Sequence, residues 1–345
     1  MDVTIRGAGI LGLSIAWNCA LRGAKVQIID PFGVGSGSSG GIVGALAPHV
    51  PENWNAKKQF QFESLITAQV FWQGVEALSG ESCGYARIGR IQAVTSENNL
   101  KLAQVRSKNA KVFWNGLAKW TVVNTPPDFA PLSPTGYWIK DTLSARINPL
   151  AACRVLKIAL QEQGVVFLKE GPNLGATVWA TGIHDMVRIS RVLKIPFGNG
   201  VKGQAALFDY DRHQAPQVFT ESLHFIPHAD GTLAVGSTSE RHYESISDTD
   251  ERLDTLIAKA RFLFPELERV KVIKRWASVR PRSQSRAPVL GIHPLDPKAF
   301  IANGAFKIGF GMAPKIAEVM ANLMLEGKNE IPVEFQPKQS LKINS

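Results

Sequence analysis

Residues 7–12 read GAGILG, three glycines spaced as G-x-G-x-x-G. The pattern carries chemistry only between a strand and a helix. Both are expected here, an apolar-rich strand over 3–6 and a helix over 10–22 closed by Gly23. In that setting Gly7 permits a tight turn, Gly9 lets the backbone approach a pyrophosphate, and Gly12 lets the helix pack on the strands. Ala8, Ile10 and Leu11 complete the turn, where free N–H groups meet the positive end of the helix dipole. Asp30 closes a second strand, 25–29, and is placed to accept hydrogen bonds from an adenosine ribose. A tight turn with no ligand is the competing reading, and the motif does not choose between NAD and FAD.

Two further stretches bear on an anionic ligand. GSGSSGGIVGALAPHV, residues 35–50, follows Asp30 closely, and no acidic residue occurs over 31–50. As a cradle, its backbone amides with Pro31, Ser36, Ser38 and Ser39 would line an elongated anion; as a linker it would touch nothing. Near the other end, IGFGMAPKIAEVM places a glycine-rich turn before a helix. Backbone N–H groups of Gly309, Phe310, Gly311 and Met312 at such a terminus suit the negative charge that reduced flavin carries around N1 and O2. A close-packed turn is the alternative.

The elements that must position these residues follow from pattern. A long helix rich in Phe, Trp and Leu is expected over 60–78. Asn148 and Pro149 open a helix that stops at Gly164. Strands are expected over 165–168 and 176–180, a hairpin over 217–238 around HADGT, and an amphipathic helix over 248–264 ended by Pro265. A strand, a turn and a helix with Pro314 near its start close the chain, and only the tail after Pro337 looks dispensable. Strand-helix alternation at both ends around a β-rich middle implies a discontinuous architecture.

Bulk properties narrow the classes. The chain has 345 residues, room for one large domain or two medium ones, and its 45% hydrophobic and 20% charged content fits a folded globular protein. No run of about 18 apolar residues exists, so no membrane span is expected. MDVTIRGAG enters a strand at once, so no signal peptide and a cytoplasmic location are expected. Cys19, Cys83 and Cys153 show no metal or redox spacing, and no metal is expected; Cys19 and Cys153 read as core. The net charge of +10, from 39 Lys+Arg against 29 Asp+Glu, suits nucleic acid, an anionic cofactor or acidic substrates. Nucleic acid is not expected, because the charge is dispersed, with local enrichment over 271–286, and lacks interleaved aromatics.

The loop also carries a family likeness. Gly40 precedes the step Gly41, Ile42, Val43, Gly44, Ala45, and with the serine- and glycine-rich run before it the sequence resembles the D-amino acid oxidase family of flavoproteins, especially its glycine oxidase branch. The resemblance spans nearly the whole chain. ARINPLAACRVLKIAL is similar to the segment leading into the family's central helix. VWATG, with Ala180, Thr181 and Gly182, resembles the turn that closes its FAD domain. VKGQAAL, FIPHADGTLAVGSTSE with His228, WASVRPRSQSRAPVLG and NGAFKIGFGMAP with Gly304 and Ile308 follow in the family's order. Two departures stand out. Ser285 and Arg286 occupy a region where the family usually has an acidic residue, and the segment between Val165 and Ala176 is too short for the usual extra strands, which leaves the adenine-side contact unassigned.

The resemblance implies an α/β fold, a Rossmann-like FAD-binding domain of the glutathione-reductase type with an inserted α+β substrate domain on a mixed sheet. The expected division is 1–78, 140–192 and 280–345 for FAD, and 79–139 and 193–279 for substrate. It implies non-covalent FAD lying along the loop. It also implies Arg280 as the clamp of a substrate carboxylate, which a guanidinium fork fits bidentately. Lys307, where the family often carries arginine, would face substrate or flavin. Arg282 and Arg286 read as surface neighbours, and His49 and His224 as packed or surface histidines rather than acid-base groups. The expected reaction is oxidation of an amino acid or secondary amine bearing a carboxylate, by hydride transfer to flavin N5. The imine then hydrolyses to an oxo acid, and O2 reoxidises the flavin to give H2O2. Alternatives are a dehydrogenase passing electrons to a quinone or carrier, a tRNA-modifying flavin domain trimming a glycine-like wobble modification, and a non-catalytic flavin-binding protein.

Overall fold

The computed structural model describes residues 1–341. In chain order, β1 (Asp2–Arg6), α1 (Ile10–Leu21) and β2 (Lys25–Ile29) form the opening βαβ unit, and β3 (Ala45–Leu46) leads to α2 (Ala56–Ser79). Then come β4 (Arg90–Ala93), α3 (Glu97–Phe113), β5 (Trp120–Val123), β6 (Trp138–Asp141) and β7 (Ala145–Arg146). The central stretch holds α4 (Pro149–Glu162), β8 (Val166–Leu168), β9 (Ala176–Trp179), α5 (Ile183–Leu193) and β10 (Gly198–Phe208). β11 (Gln217–Thr220), β12 (Leu223–Pro227), β13 (Leu233–Gly236), α6 (Glu251–Leu263) and β14 (Val272–Ser283) follow. The chain ends with β15 (Val289–His293), β16 (Asp296–Asn303), α7 (Gly309–Glu326) and α8 (Pro337–Ser340).

Two large sheets organise these elements. A six-stranded sheet has the order β15-β16-β9-β1-β2-β8, parallel except where β15 runs antiparallel to β16. Its strands are apolar runs such as VTI and KVQII, buried because α1 and α7 pack on the sheet and on each other, with α4 against α1. An eight-stranded, mostly antiparallel sheet has the order β14-β10-β13-β12-β11-β4-β6-β5. The fold is thus α/β with mixed sheets, as expected. β6 and β14 both run across the expected cut points at 139/140 and 279/280; a strand bonded along its length to one sheet cannot be shared out there.

Alternation on the second sheet decides what its faces do. Ile91, Val218, Phe225, Val235 and Ala206 point one way and are buried with Phe264, Leu253 and Leu256 of the α6 region. Their neighbours in register point the other way. Pairings Gln217↔Arg90, Phe219↔His224, His224↔Gly236, Ala205↔Gly236 and Ala205↔Trp276 place these residues on one face across six strands. Ala205 packs there against Ile42, so this face meets the glycine- and serine-rich loop that leaves the first sheet.

Three local expectations change. The hairpin over 217–238 is a three-stranded meander, because Glu221 and Ser222, both at positive φ, make an extra turn. Met312 is unavailable as a free donor, since its N–H bonds to Ile308 O at 3.0 Å and its side chain is fully buried. The tail after Pro337 is not idle. α8 packs on β15, Ser340 is buried with its Oγ donating to Ser285 Oγ at 3.0 Å, and Leu341 packs against the Met186–Phe197 cluster. Residues 342–345 lie outside the described part.

Candidate active site

A cavity of about 1400 Å³ runs between the two sheets. That exceeds the roughly 300–1,000 Å³ of an ordinary small-ligand pocket and leaves room for a large cofactor with a second molecule. At one end it is lined by Gly7, Gly9, Ile10, Leu11, Asp30 and Pro31. Gly7 holds φ +107°, and a Cβ there would lie 2.4 Å from Ala180 O, so the turn and the Ala180–Gly182 turn close on each other only with glycine. The Gly12 position is tighter still, with a Cβ falling 2.0 Å from Gly7 O. Gly12 and Ala8 therefore shape the turn from behind and do not line the cavity.

Asp30 first holds the turn. Its Oδ2 accepts from Ala8 N–H at 2.8 Å and its Oδ1 from Phe32 N–H at 2.9 Å, and each oxygen retains a further lone pair toward the cavity. Ser39 Oγ accepts the Ile10 N–H at 3.0 Å, which leaves the N–H groups of Gly9, Leu11 and Gly12 as the orphans of the helix start. The loop is anchored by Gly35 N–H to Ala8 O at 3.0 Å and lines the cavity with Ser36, Ser38, Ser39, Gly41 and Gly44. It is a cradle. Gly41 packs where a Cβ would meet the Trp276 ring at 3.2 Å. Gly40 lies against Gly35, where a Cβ would fall 2.1 Å from Gly35 O, and Ile42 is buried with Ala205.

Thr181, Gly182, Gly304, Ile308, Gly309 and Phe310 line the cavity on the side of the first sheet. Asn303, buried at the end of β16, ties these turns together: its Nδ2 donates to Gly182 O and its Oδ1 accepts from Gly304 N–H, both at 2.8 Å. α7 starts at Gly309, so the free N–H groups there belong to Gly309, Phe310 and Gly311. Gly311 is buried against Leu65 and Leu46.

At the far end the walls are cationic. Phe306, a non-glycine residue at φ +48°, places its ring 5.6 Å from the Arg280 and Arg282 guanidinium carbons and 5.7 Å from Lys307 Nζ. The Arg280 fork already has partners, Nη1 donating to Ser237 Oγ at 2.8 Å and Nη2 to Thr238 O at 2.7 Å. Burial pulls its pKa down to about 10. Lys307 Nζ has no hydrogen-bond or ion-pair partner among the described residues, and burial, then Arg280, pushes its pKa down to about 8. His224 packs against Phe219 with ring centroids 4.6 Å apart and tilted by 43°, and burial, then the charges of Arg90 and Lys307, holds its pKa down to about 3, so its ring is neutral. His49 binds Gln61 through both its backbone N–H and its ring, and burial lowers its pKa too.

The sequence reading did not assign several lining residues. Arg6 and Arg188 lie over the Trp179 ring at 5.6 and 4.8 Å, and Phe32 stacks on His184 at 5.4 Å, all beside the Asp30 end. Trp179 is visible as part of VWATG; the others carry no signal, because they meet only when β1 and β9 pair. Arg90 is likewise a plain strand residue until β4 joins β11.

The family described as DAO, FAD dependent oxidoreductase, matches residues 2–323. The chain belongs to this DAO family of FAD-dependent oxidoreductases. It is similar to glycine oxidase of Pseudomonas aeruginosa, 31% identical, with 97% of this chain and 98% of the relative covered. It is also 24% identical to a bifunctional ThiO/ThiG protein of Nostoc sp. over 95% of its own length, and spans only 53% of that relative. The crystal structure of glycine oxidase from Geobacillus kaustophilus superposes with TM-score 0.81 at 18% identity, covering 97% of both chains. The residues present fit FAD: a glycine turn that admits no Cβ, a carboxylate with spare lone pairs, orphan helix N–H groups at both ends, and an elongated cavity between them. Among the described residues no helix is long and apolar enough to cross a membrane.

Proposed function

We propose that the protein oxidises a small amine bearing a carboxylate, an amino acid or an N-alkyl amino acid, with FAD bound non-covalently along the cavity. The observation that carries this is Lys307, an unpartnered cation in the same cavity as the dinucleotide turn. Lys307 binds the substrate carboxylate. Arg280 acts beside it as a positioning group, its Nη atoms held by Ser237 Oγ and Thr238 O and its Nε enclosed without a partner. Phe306 fixes the direction of both cations. Gly309, Phe310 and Gly311 offer N–H groups for negative charge on the cofactor.

FAD, when bound, supplies the two-electron acceptor. The substrate's α-carbon gives up a hydride, the nitrogen lone pair closes a C=N bond, and water hydrolyses the imine to an oxo acid and ammonia or amine. No strong protein base is needed if the amine enters neutral, which agrees with neutral His224 and His49 rings. O2 takes the electrons to give H2O2. The two sheets correspond to a cofactor domain and a substrate domain, with the cuts falling after β6 and after β14. The test is an anaerobic panel of glycine, sarcosine, other N-alkyl glycines and D-amino acids, recording bleaching of the flavin and then peroxide on admitting air. Bleaching by none of them sinks the proposal, and bleaching without peroxide points to a carrier as acceptor.

A further inference from the structure

The cavity wall carries more positive charge than one carboxylate needs. Besides Lys307 and Arg280, Arg90 and His224 also line the cavity. Register places Arg90, Phe219, His224, Trp276 and Arg280 on the same face of the eight-stranded sheet, and all of them line the cavity. The charges of both Arg90 and Lys307 reach His224. The carboxylates of the lining are Asp30 and Asp185 alone, both at the ribose end, and Asp185 is tied to Arg188 and His293.

Arg90 is only 6% exposed, yet it is half used. Its Nε donates to Asp141 Oδ2 at 3.0 Å, while its Nη atoms have no hydrogen-bond partner among the described residues. Asp141 is a shared partner. It also accepts from Leu143 N–H, Ser144 N–H and Ser144 Oγ, and so holds Arg90 in direction more than it saturates it. Neither ring nitrogen of His224 has a hydrogen-bond partner among the described residues; Nδ1 is enclosed, and Nε2 is the one not sealed off. A stitch between β4 and β6 would account for the Nε contact. It does not account for an open guanidinium edge beside an imidazole without a hydrogen-bond partner on one cavity wall. An arginine edge fits a planar carboxylate bidentately.

We propose that Arg90 and His224 form a second anion-binding subsite, so that the preferred substrates are amino acids with a second acidic group. The α-carboxylate goes to Lys307 and the distal carboxylate to the Nη edge of Arg90, with His224 as a neutral hydrogen-bond partner. This rests on the proposed amine oxidation only in calling the ligand a substrate.

The test uses the FAD-loaded protein and the visible flavin spectrum, titrated with malonate, succinate and glutarate and with the monoamide of each. At least one diacid is expected to bind about ten-fold or more tightly than its monoamide, since a charge-assisted contact is lost with the amide. Arg90→Gln should bring that ratio to within about two-fold. His224→Phe, which keeps a ring on Phe219 and leaves the Arg90–Asp141 pair alone, should lower it as well and decides the matter if the first variant does not fold. Equal affinity for every diacid and its monoamide, or a preference unchanged in the variants, overturns the subsite. A protein that prefers diacids but is bleached by no amine keeps the subsite and loses the proposed activity. One bleached by sarcosine with no diacid preference keeps the activity and loses the subsite.

Discussion

Lys307 and Arg280 sit on the same aromatic ring but do different work, and substitution should separate them. Lys307→Met removes an unpartnered cation, so FAD binding and stability should hold while kcat/KM on carboxylate substrates falls roughly 10²-fold, about 2.7 kcal/mol. Arg280→Met leaves Ser237 and the Thr238 carbonyl without their donor. It should lower the melting temperature as well as kcat/KM, because buried acceptors lose their partner. Equal loss of activity with unchanged melting in both variants would return the clamp role to Arg280. The pH dependence follows from Lys307. Its pKa is pushed down to about 8 by burial and by Arg280, so it is charged below that pH and loses its charge above. His224, down to about 3, stays neutral throughout. A competitive carboxylate without an amine, such as acetate, should therefore have a flat Ki below pH 8 and a rising one above it. Lys307→Arg should keep Ki flat through pH 9. A wild-type Ki that is flat to pH 9 would remove Lys307 from the carboxylate contact.

Elements differed in how legible they were. The βαβ opening, the cap at Asn148, and the strand-turn-helix around Gly309 were all readable, since glycine spacing, Asn-Pro and apolar periodicity are local signals. α8 was not, because four residues make barely one turn and show no period. Its value is tertiary. Ser340 is buried, its Oγ donates to Ser285, and Leu341 joins Met186, Ile189 and Phe197. Truncation after Gln336 should cost about 1–3 kcal/mol and lower the melting temperature by several degrees, with the flavin spectrum retained. Melting unchanged by that truncation would show the packing to be idle. The same distinction explains the site. The dinucleotide half lies on contiguous motifs, and every residue named for it falls in or directly behind the cavity wall. The cationic half is assembled from β4, β12, β14 and the turn after β16; Arg280 and Lys307 were named from their motifs, whereas Arg90 and His224 join them only through strand pairing.

Across the whole molecule, one cavity joins the two sheets, and its occupant should act as a tie between them. The residues that meet it come mainly from 6–49, 179–188 and 302–310 on one side and from Arg90, 219–247 and 276–281 on the other. None of the three cysteines lines it, and all three are buried, with burial raising the Cys19 and Cys153 thiols to about 12. A thiol held protonated and outside the cavity cannot attach a flavin. Acid precipitation should therefore leave the flavin in the supernatant and the pellet colourless. FAD bound by the native state alone stabilises it by RT ln(1 + [L]/Kd), about 4 kcal/mol at 1,000 times Kd. Protein stripped of flavin by mild chaotrope should melt on the order of 5–15 °C lower than the loaded form, and FAD added back should restore the difference. Because the ligand bridges the sheets, the loaded protein should unfold in one transition, and the stripped protein should show the two sheets melting apart. Calorimetry of both forms reads this directly. A single unchanged transition with and without FAD would mean that the sheets are coupled by their own packing and that the cofactor ties nothing.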